Sequence, residues 1–209
     1  MIMPSPPLVL ASASPRRRLL LAEHGYRAEV LPAGVEESTD PGLSVPELVG
    51  LNALLKSAAL WARRPRAVVL GTDTLVCLDG RALGKPADRR EAAGMLGALA
   101  GRWHEVYSGV CLALPAQGRV ACFVEETRVR FHSLATPEID AYLHLIDPLD
   151  KAGGYAAQEH GERIIADHEG SWSNVLGLPM ERLAAVLDAE FGIRPGSLEE
   201  DRQPTLPGG

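Results

Sequence analysis

The sequence predicts an α/β fold, on three observations. β-type runs alternate with helical patterns along the whole chain. Two segments open with capping-box pairs, Ser44 with Glu47 and Asp88 with Glu91. Two long β-type runs, His104–Leu114 and Arg119–Ser133, flank the turn Pro115–Gly118 and read as a hairpin. The 209 residues suit one domain, or one domain with two lobes.

In chain order, Leu8–Ala11 reads as a short buried strand. Arg16–His24 reads as a helix, with Pro15 at its first turn and Gly25 as its left-handed stop. Arg27–Leu31 is a second strand. The helix capped by Ser44 carries Leu48, Leu51, Leu55 and Ala59 at helical spacing, puts Lys56 in its middle and ends at Pro65. Ala67–Leu70 and Thr74–Leu78 read as separate strands around Gly71-Thr72-Asp73, and Asp79-Gly80 is a hairpin signal. The helix capped by Asp88 stops at Gly101. Beyond the long hairpin, Thr136-Pro137 opens a helix to about Ile146, Arg163–His168 is a strand, and Glu169-Gly170 is its turn. Pro179 starts the last helix, which ends near Gly192. The expected organisation is a single domain over residues 1–193, followed by a Pro-, Gly- and acid-rich tail, 194–209, that is expected to be disordered.

Composition excludes several classes. A net charge of −6 argues against a general nucleic-acid binder, although a local basic cluster can still hold a small anion. No apolar run approaches the roughly 18 residues of a transmembrane helix. The segment Met1–Leu10 has three prolines and no basic start, so it is not read as a signal peptide, and a cytoplasmic protein is expected. Cys77, Cys111 and Cys122 lie far apart in sequence, each in a strand-like run, and are expected to be reduced core thiols. Of 21 basic residues only Lys56, Lys85 and Lys151 are lysines. In an arginine-rich background each is a candidate for work that needs a compact ammonium.

Five clusters carry chemistry. Ser12-Ala13-Ser14-Pro15-Arg16-Arg17-Arg18 places hydroxyls and arginines between a strand and a helix start, where free N–H groups and the helix dipole favour an anion. It is not a Walker loop, because the glycines and the Gly-Lys-Ser/Thr ending are absent. Asp73, at a strand end, is suited to hold a divalent ion or take a proton from water. In Gly84-Lys85-Pro86 the proline holds the lysine backbone extended. Lys151-Ala-Gly-Gly-Tyr155 leads to Gln158, whose amide matches a base edge. Glu36-Glu37 supplies carboxylates suited to magnesium. Four of the five also have an ordinary reading: a capped surface helix for the first loop, a turn aspartate for Asp73, a solvated lysine for Lys85 and an acidic loop for Glu36-Glu37.

Taken in order, these segments resemble the Maf family of nucleoside triphosphate pyrophosphatases. The resemblance rests on Leu10–Arg18, Val35-Glu-Glu37, Lys56, Gly71-Thr-Asp-Thr74, Gly84-Lys-Pro86, Gly101–Gly109, Lys151–Tyr155 with Gln158, and Asn174–Pro179, and covers about residues 8–190. It implies the fold shared with inosine triphosphatases, a long curved mixed sheet with a deep cleft between two lobes. It implies a metal-dependent hydrolase, using Mg, Mn or Co, that cleaves between the α and β phosphates to give a nucleoside monophosphate and pyrophosphate. On this resemblance Asp73 is the proposed general base and, with Glu37, a metal ligand. Ser14, Arg17, Lys56 and Lys85 bind phosphate. The implied partner is a nucleoside triphosphate, with no nucleic acid or membrane, and a homodimer is open.

The family divides by substrate at three positions, and this chain has Arg16, Thr74 and Gln158 there, as in the group that prefers dTTP and UTP. The other group has an aromatic residue, Gln and Glu, and prefers 7-methyl-GTP. An amide answers the O4 acceptor and N3–H donor of uracil or thymine, whereas a carboxylate suits the paired donors of guanine. An arginine would repel the cationic ring of 7-methylguanine, which an aromatic residue would attract. Another nucleotide, including a modified one, and a nucleotide-binding regulator of cell division or septum formation remain alternatives.

Overall fold

In the computed structural model, which describes residues 5–196, one long strand organises the sheet. The chain runs β1 (Leu8–Leu10), α1 (Pro15–Glu23), β2 (Ala28–Val30), α2 (Val45–Ala58), β3 (Val68–Leu78), β4 (Arg81–Leu83) and α3 (Arg89–Leu99). It continues with β5 (Trp103–Leu114), β6 (Arg119–Phe131), α4 (Thr136–Leu143), β7 (Ile165–Glu169), α5 (Trp172–Val175) and α6 (Met180–Phe191). The sheet order is β2-β1-β3-β5-β6-β7, with β4 also on β3. β1 lies parallel to β2 and β3, and the remaining pairs are antiparallel, so the expected mixed α/β sheet is observed.

Local signals account for most element ends. Glu47 reaches back to the Ser44 N–H (2.8 Å) at the start of α2, and Asp88 accepts from the Glu91 N–H (2.8 Å) at the start of α3. Gly192 ends α6 in the left-handed conformation (φ 64°). Asp79-Gly80 turns β3 into β4, both residues at positive φ. Helix α2 stops at Ala58 rather than Pro65, because the chain continues from Ala59 in short turns. Residues 194–196 are held to the end of α1, where the Gly196 N–H bonds Gly25 O (3.0 Å), and residues 197–209 lie outside the described ones.

The strands expected at 67–70 and 74–78 are one strand. Gly71-Thr72-Asp73 resembles a breaker in sequence, yet it lies in mid-strand and pairs continuously with β5 from Val69 to Cys77. On its other edge β3 has two different partners. β1 pairs with Val68–Leu70 and β4 with Val76–Leu78, so residues 71–75 fall between two ladders and leave a notch in the sheet.

Of three hydrophobic cores among the described residues, the two larger draw on β3 on either side of this notch, and a third gathers Val9, Ala11, Leu60, Ala67 and Val69. One of the larger two gathers Leu8, Leu10, Leu21, Leu70, Leu112, Leu178 and the apolar stripe of α6. The other gathers Val76, Leu96, Phe131, Tyr142 and Tyr155. His104 is buried in the second core with its Nε2 at 3.0 Å from the Tyr155 hydroxyl, and burial lowers its pKa to about 4, so it stays neutral.

Helix α2 lies directly on the sheet. Gly71 and Gly109, on the adjacent strands β3 and β5, leave room for its backbone. A Cβ at Gly71 would overlap Ala53 O, and one at Gly109 would overlap Val49 O. Close approach, not a special dihedral, therefore requires both glycines. We predict that Gly109→Ala forces α2 off the sheet and lowers unfolding free energy by at least about 1–3 kcal/mol in urea titration. A midpoint equal to wild type would show that α2 does not rest on this residue.

Candidate active site

The notch is where the loops converge. β1 and β2 are parallel, and both deliver the chain to the open part of β3, the carboxyl end at which open α/β sheets commonly bind ligands. The loop after β1 carries Ser12 and Ser14 into α1, and the loop after β2 carries Glu37. Between these loops, β3 and the segments at 84–85 and 150–158 lies a cavity of about 930 Å³.

Its centre is a lysine between two carboxylates. From mid-α2, Lys56 Nζ lies 2.7 Å from Asp73 Oδ1 and 2.7 Å from Glu37 Oε1, and donates to Thr72 O at 3.4 Å. The last contact covers a carbonyl on β3 that no neighbouring strand pairs. Lys56 and Asp73 are buried, whereas the Glu37 side chain is 52 % exposed at the mouth. Asn52, one helical turn before Lys56, donates to Asp73 Oδ2 (3.1 Å). Its Oδ1 accepts the Ser38 N–H (2.7 Å), and its Nδ2 also reaches Ser38 O (3.2 Å). One buried amide thus joins the Glu37 loop to α2 and orients Asp73. Both Asp73 oxygens are engaged, yet a carboxylate has about four lone-pair directions, so each oxygen retains one for a ligand.

A second network fixes Arg17. Its Nε donates to Gly177 O (2.9 Å), Nη1 to Ser12 Oγ (3.2 Å) and Nη2 to Thr74 Oγ1 (3.0 Å). Thr74 Oγ1 also lies 2.8 Å from Ser108 Oγ. Burial lowers the Arg17 pKa from its ordinary value while Asp73 opposes the shift, and an arginine remains charged throughout. Because side chains alternate along a strand, Asp73 faces α2 and Thr74 faces Arg17. The notch lets both line one cavity.

The structure brings every expected site residue to that cavity: Ser14, Arg16, Arg17, Glu37, Lys56, Asp73, Thr74, Lys85 and Gln158 all line it. Ser14 caps α1 without a side-chain cap bond, and its N–H bonds Ser12 Oγ (3.2 Å). Arg16 and Lys85 make no hydrogen bond or ion pair among the described residues, and Lys85 is exposed at the rim. Its loop is pinned where Gly84 O accepts the Gly153 N–H (2.9 Å). Gln158 is exposed, with one bond to Glu159 (3.4 Å). Glu36 and Arg18 are not in the wall. Lys151 is buried with its ammonium on Asp147 O (2.7 Å) and Asp150 Oδ1 (2.6 Å), an internal staple for that turn.

The structure corrects the placement of Asp73 and adds Asn52 and Ser108 to the site. Asp73 lies in mid-strand, not at a strand end, and reaches the cavity because the neighbouring ladder is missing. Asn52 was not singled out, although it stands four residues before Lys56 on the same helix face, a spacing that signals adjacency. Ser108 falls within the Gly101–Gly109 segment of the resemblance without a role of its own, and the register Thr74↔Ser108 gives it one.

Fold and site define an α/β protein with arginines, lysines and paired carboxylates gathered around one cavity. A model of the Maf-like protein family matches residues 7–190. The chain is 46 % identical over 185 residues to a dTTP/UTP pyrophosphatase of Pelotomaculum thermopropionicum, covering 88 % of this chain and 96 % of that protein. Proteins of the same name from Gloeobacter violaceus (43 % identity, 90 % and 97 % covered) and Myxococcus xanthus (46 %, 87 % and 91 %) are similar to it. A nucleoside-triphosphatase, a dITP/XTP pyrophosphatase from Mycobacterium abscessus, superposes with a TM-score of 0.41 at 17 % identity over 61 % of this chain and 75 % of that one, too distant a likeness to bear on fold or function. This chain belongs to the Maf family. No helix among the described residues is long and apolar enough to cross a membrane.

The Asn52 clamp is testable without a ligand. Asn52→Leu keeps the side-chain size and removes the bonds to Ser38 and Asp73. It is expected to cost about 1–3 kcal/mol in urea unfolding and to speed exchange of the Ser38 amide hydrogen. An unchanged Ser38 exchange rate would mean that something else holds the Glu37 loop.

Proposed function

We propose that this chain hydrolyses nucleoside triphosphates between the α and β phosphates, releasing a nucleoside monophosphate and pyrophosphate, with dTTP and UTP as preferred substrates. The observation that carries this reading is the Glu37–Lys56–Asp73 cluster, set in a notch beside the N-terminus of α1. A site that only bound an anion would gain nothing from two carboxylates. Family membership and the relatives named dTTP/UTP pyrophosphatase support the same reaction and the same bases.

In this reading the first loop and α1 receive the triphosphate, with Ser14 and Arg17 on its oxygens and Lys85 approaching from the rim. Lys56 supplies fixed positive charge close to the reacting phosphate, where preorganised charge lowers the barrier most. Asp73, fixed at both oxygens by Lys56 and Asn52, is the acid assigned to the attacking water, as proton acceptor, as metal ligand or as both. Water forms the new P–O bond, the α–β bridge breaks, and the developing charge on the departing group is met by the surrounding cations. Arg16, Thr74 and Gln158 select the base. Gln158 pairs through its amide, and Thr74 acts by holding Arg17.

A divalent cation fits the donor chemistry. No group of three or more His, Cys, Asp and Glu residues that could hold a metal occurs among the described residues. Glu37 and Asp73 are nevertheless hard oxygen donors on either side of Lys56 Nζ, and magnesium commonly binds through one or two carboxylates together with substrate phosphates and water. Bound by these two residues, Mg, Mn or Co would supply neutralisation of phosphate charge.

The deciding experiment is pyrophosphate release from a panel of nucleoside triphosphates, with and without a divalent ion. Turnover of dTTP and UTP that requires the ion is expected, and activity on none of the panel overturns the enzyme reading. Asp73→Asn should lower turnover of every nucleotide by at least about 100-fold. Wild-type rates in that variant would remove Asp73 from the mechanism. Gln158→Glu should lower kcat/KM for dTTP and UTP by about 10- to 100-fold through a mismatched base contact. Its stability should stay within about 0.5 kcal/mol, since the residue is exposed. If dTTP turnover survives that change intact, base selection lies elsewhere.

A further inference from the structure

The three cysteines were expected as reduced core thiols; all three are free, but Cys122 is exposed and so is not a core residue. Cys77 is buried on its own in β3, but Cys111 and Cys122 stand directly opposite each other on β5 and β6. Their Sγ atoms lie 2.8 Å apart. Opposed residues in an antiparallel pair have Cα atoms about 4.5–5.5 Å apart, which falls within the about 4.4–6.8 Å found across disulfides. Bond formation therefore needs the sulfurs to move and leaves the backbone where it is.

The pair is asymmetric. Cys122 is exposed, whereas Cys111 is buried beneath α2, opposite Gly71. We propose that Cys111 and Cys122 form a redox-active dithiol that a hydroperoxide closes into an intramolecular disulfide, with Cys122 as the attacking sulfur. Access decides the order, because only Cys122 meets solvent. The hydrogen bond shared by the two sulfurs acts in the same direction, holding Cys122 below the ordinary thiol pKa and pushing Cys111 up.

The chemistry balances in two steps. The Cys122 thiolate attacks the outer oxygen of the hydroperoxide, the O–O bond breaks, and an alcohol or water leaves with a proton, giving a sulfenic acid. The Cys111 sulfur then attacks Cys122 Sγ, the S–O bond breaks, and water departs with the Cys111 proton. Two thiols and a hydroperoxide thus give one disulfide, one alcohol and one water. A dithiol reductant reverses the change by exchange. None of this rests on the activity proposed above.

The test uses the full reduced chain treated with hydrogen peroxide, then denatured, alkylated and weighed intact. The expected result is a loss of about 2 Da relative to the reduced chain before alkylation. Alkylation should fall from all three cysteines to Cys77 alone, a peptide map should join Cys111 to Cys122, and dithiothreitol should restore all three labels. In Cys111→Ser the sulfenic acid at Cys122 should persist and be trapped by dimedone. In Cys122→Ser oxidation of Cys111 should slow by at least about 10-fold, because burial removes its access. Three alkylatable cysteines after peroxide, a stable oxygen adduct on Cys122 in the wild-type chain, or a disulfide between two chains would each overturn the proposal.

Discussion

The site depends on the contact between α2 and the bare backbone at Gly71 and Gly109. A helix normally stands off a sheet by the thickness of two layers of side chains. Here two glycines on neighbouring strands remove one layer, and the helix backbone meets the sheet. Residues that face down from α2 therefore reach strand atoms with little side chain to spare. That is how Asn52 and Lys56 arrive at opposite oxygens of Asp73. Burying an ammonium and a carboxylate is costly unless their remaining hydrogen-bonding capacity is met. Thr72 O, Glu37 and Asn52 meet it, so the cluster is a connected unit and not a lone ion pair.

Topology supplies the other requirement. A strand paired along both edges would seal the middle of β3 away from any ligand. β1 is too short to cover it and β4 ends at Leu83, opposite Val76, so the sheet is interrupted beside Asp73 while β5 pairs the strand continuously on its other edge. β3, β5 and β6 each contribute to both of the larger cores, and Leu176 packs against both. The cavity is thus set in a rigid element, while its mouth is made of loops that follow β1 and β2. Catalytic groups commonly have this arrangement, in which a stiff scaffold fixes them and the loops admit the ligand.

Much of this was legible in the sequence, because local chemistry dictates it. Ser44 with Glu47, Asp88 with Glu91, Asp79-Gly80 and Gly192 each announce an element end by the hydrogen bonds or dihedrals they require. That the candidate site residues would gather in one cavity was legible through their order along the chain and their resemblance to one family. What could not be read depends on register. Gly71-Thr72-Asp73 has the composition of a turn, and only the position of α2 shows that its glycine serves a close approach within a strand. Ser108, Gly109 and the Cys111–Cys122 contact follow from which residues of β5 face β3 and β6, a property of pairing that no single segment contains. Asn52 was within reach, since its spacing from Lys56 was visible, but its use required knowing where Asp73 would lie.

The bonding of Arg17 has one more consequence. A guanidinium has five N–H donors, and here three separate protein acceptors already take one each, leaving two among the described residues. An ammonium has three in all. A lysine at this position could satisfy the scaffold or a ligand but not both, and its flexible stem could not span Gly177, Ser12 and Thr74 together. The arginine is therefore a shared junction, at once a brace between three segments and the owner of two unspent donors. In a chain so rich in arginine, this position is one where the choice is imposed by valence and shape rather than by composition.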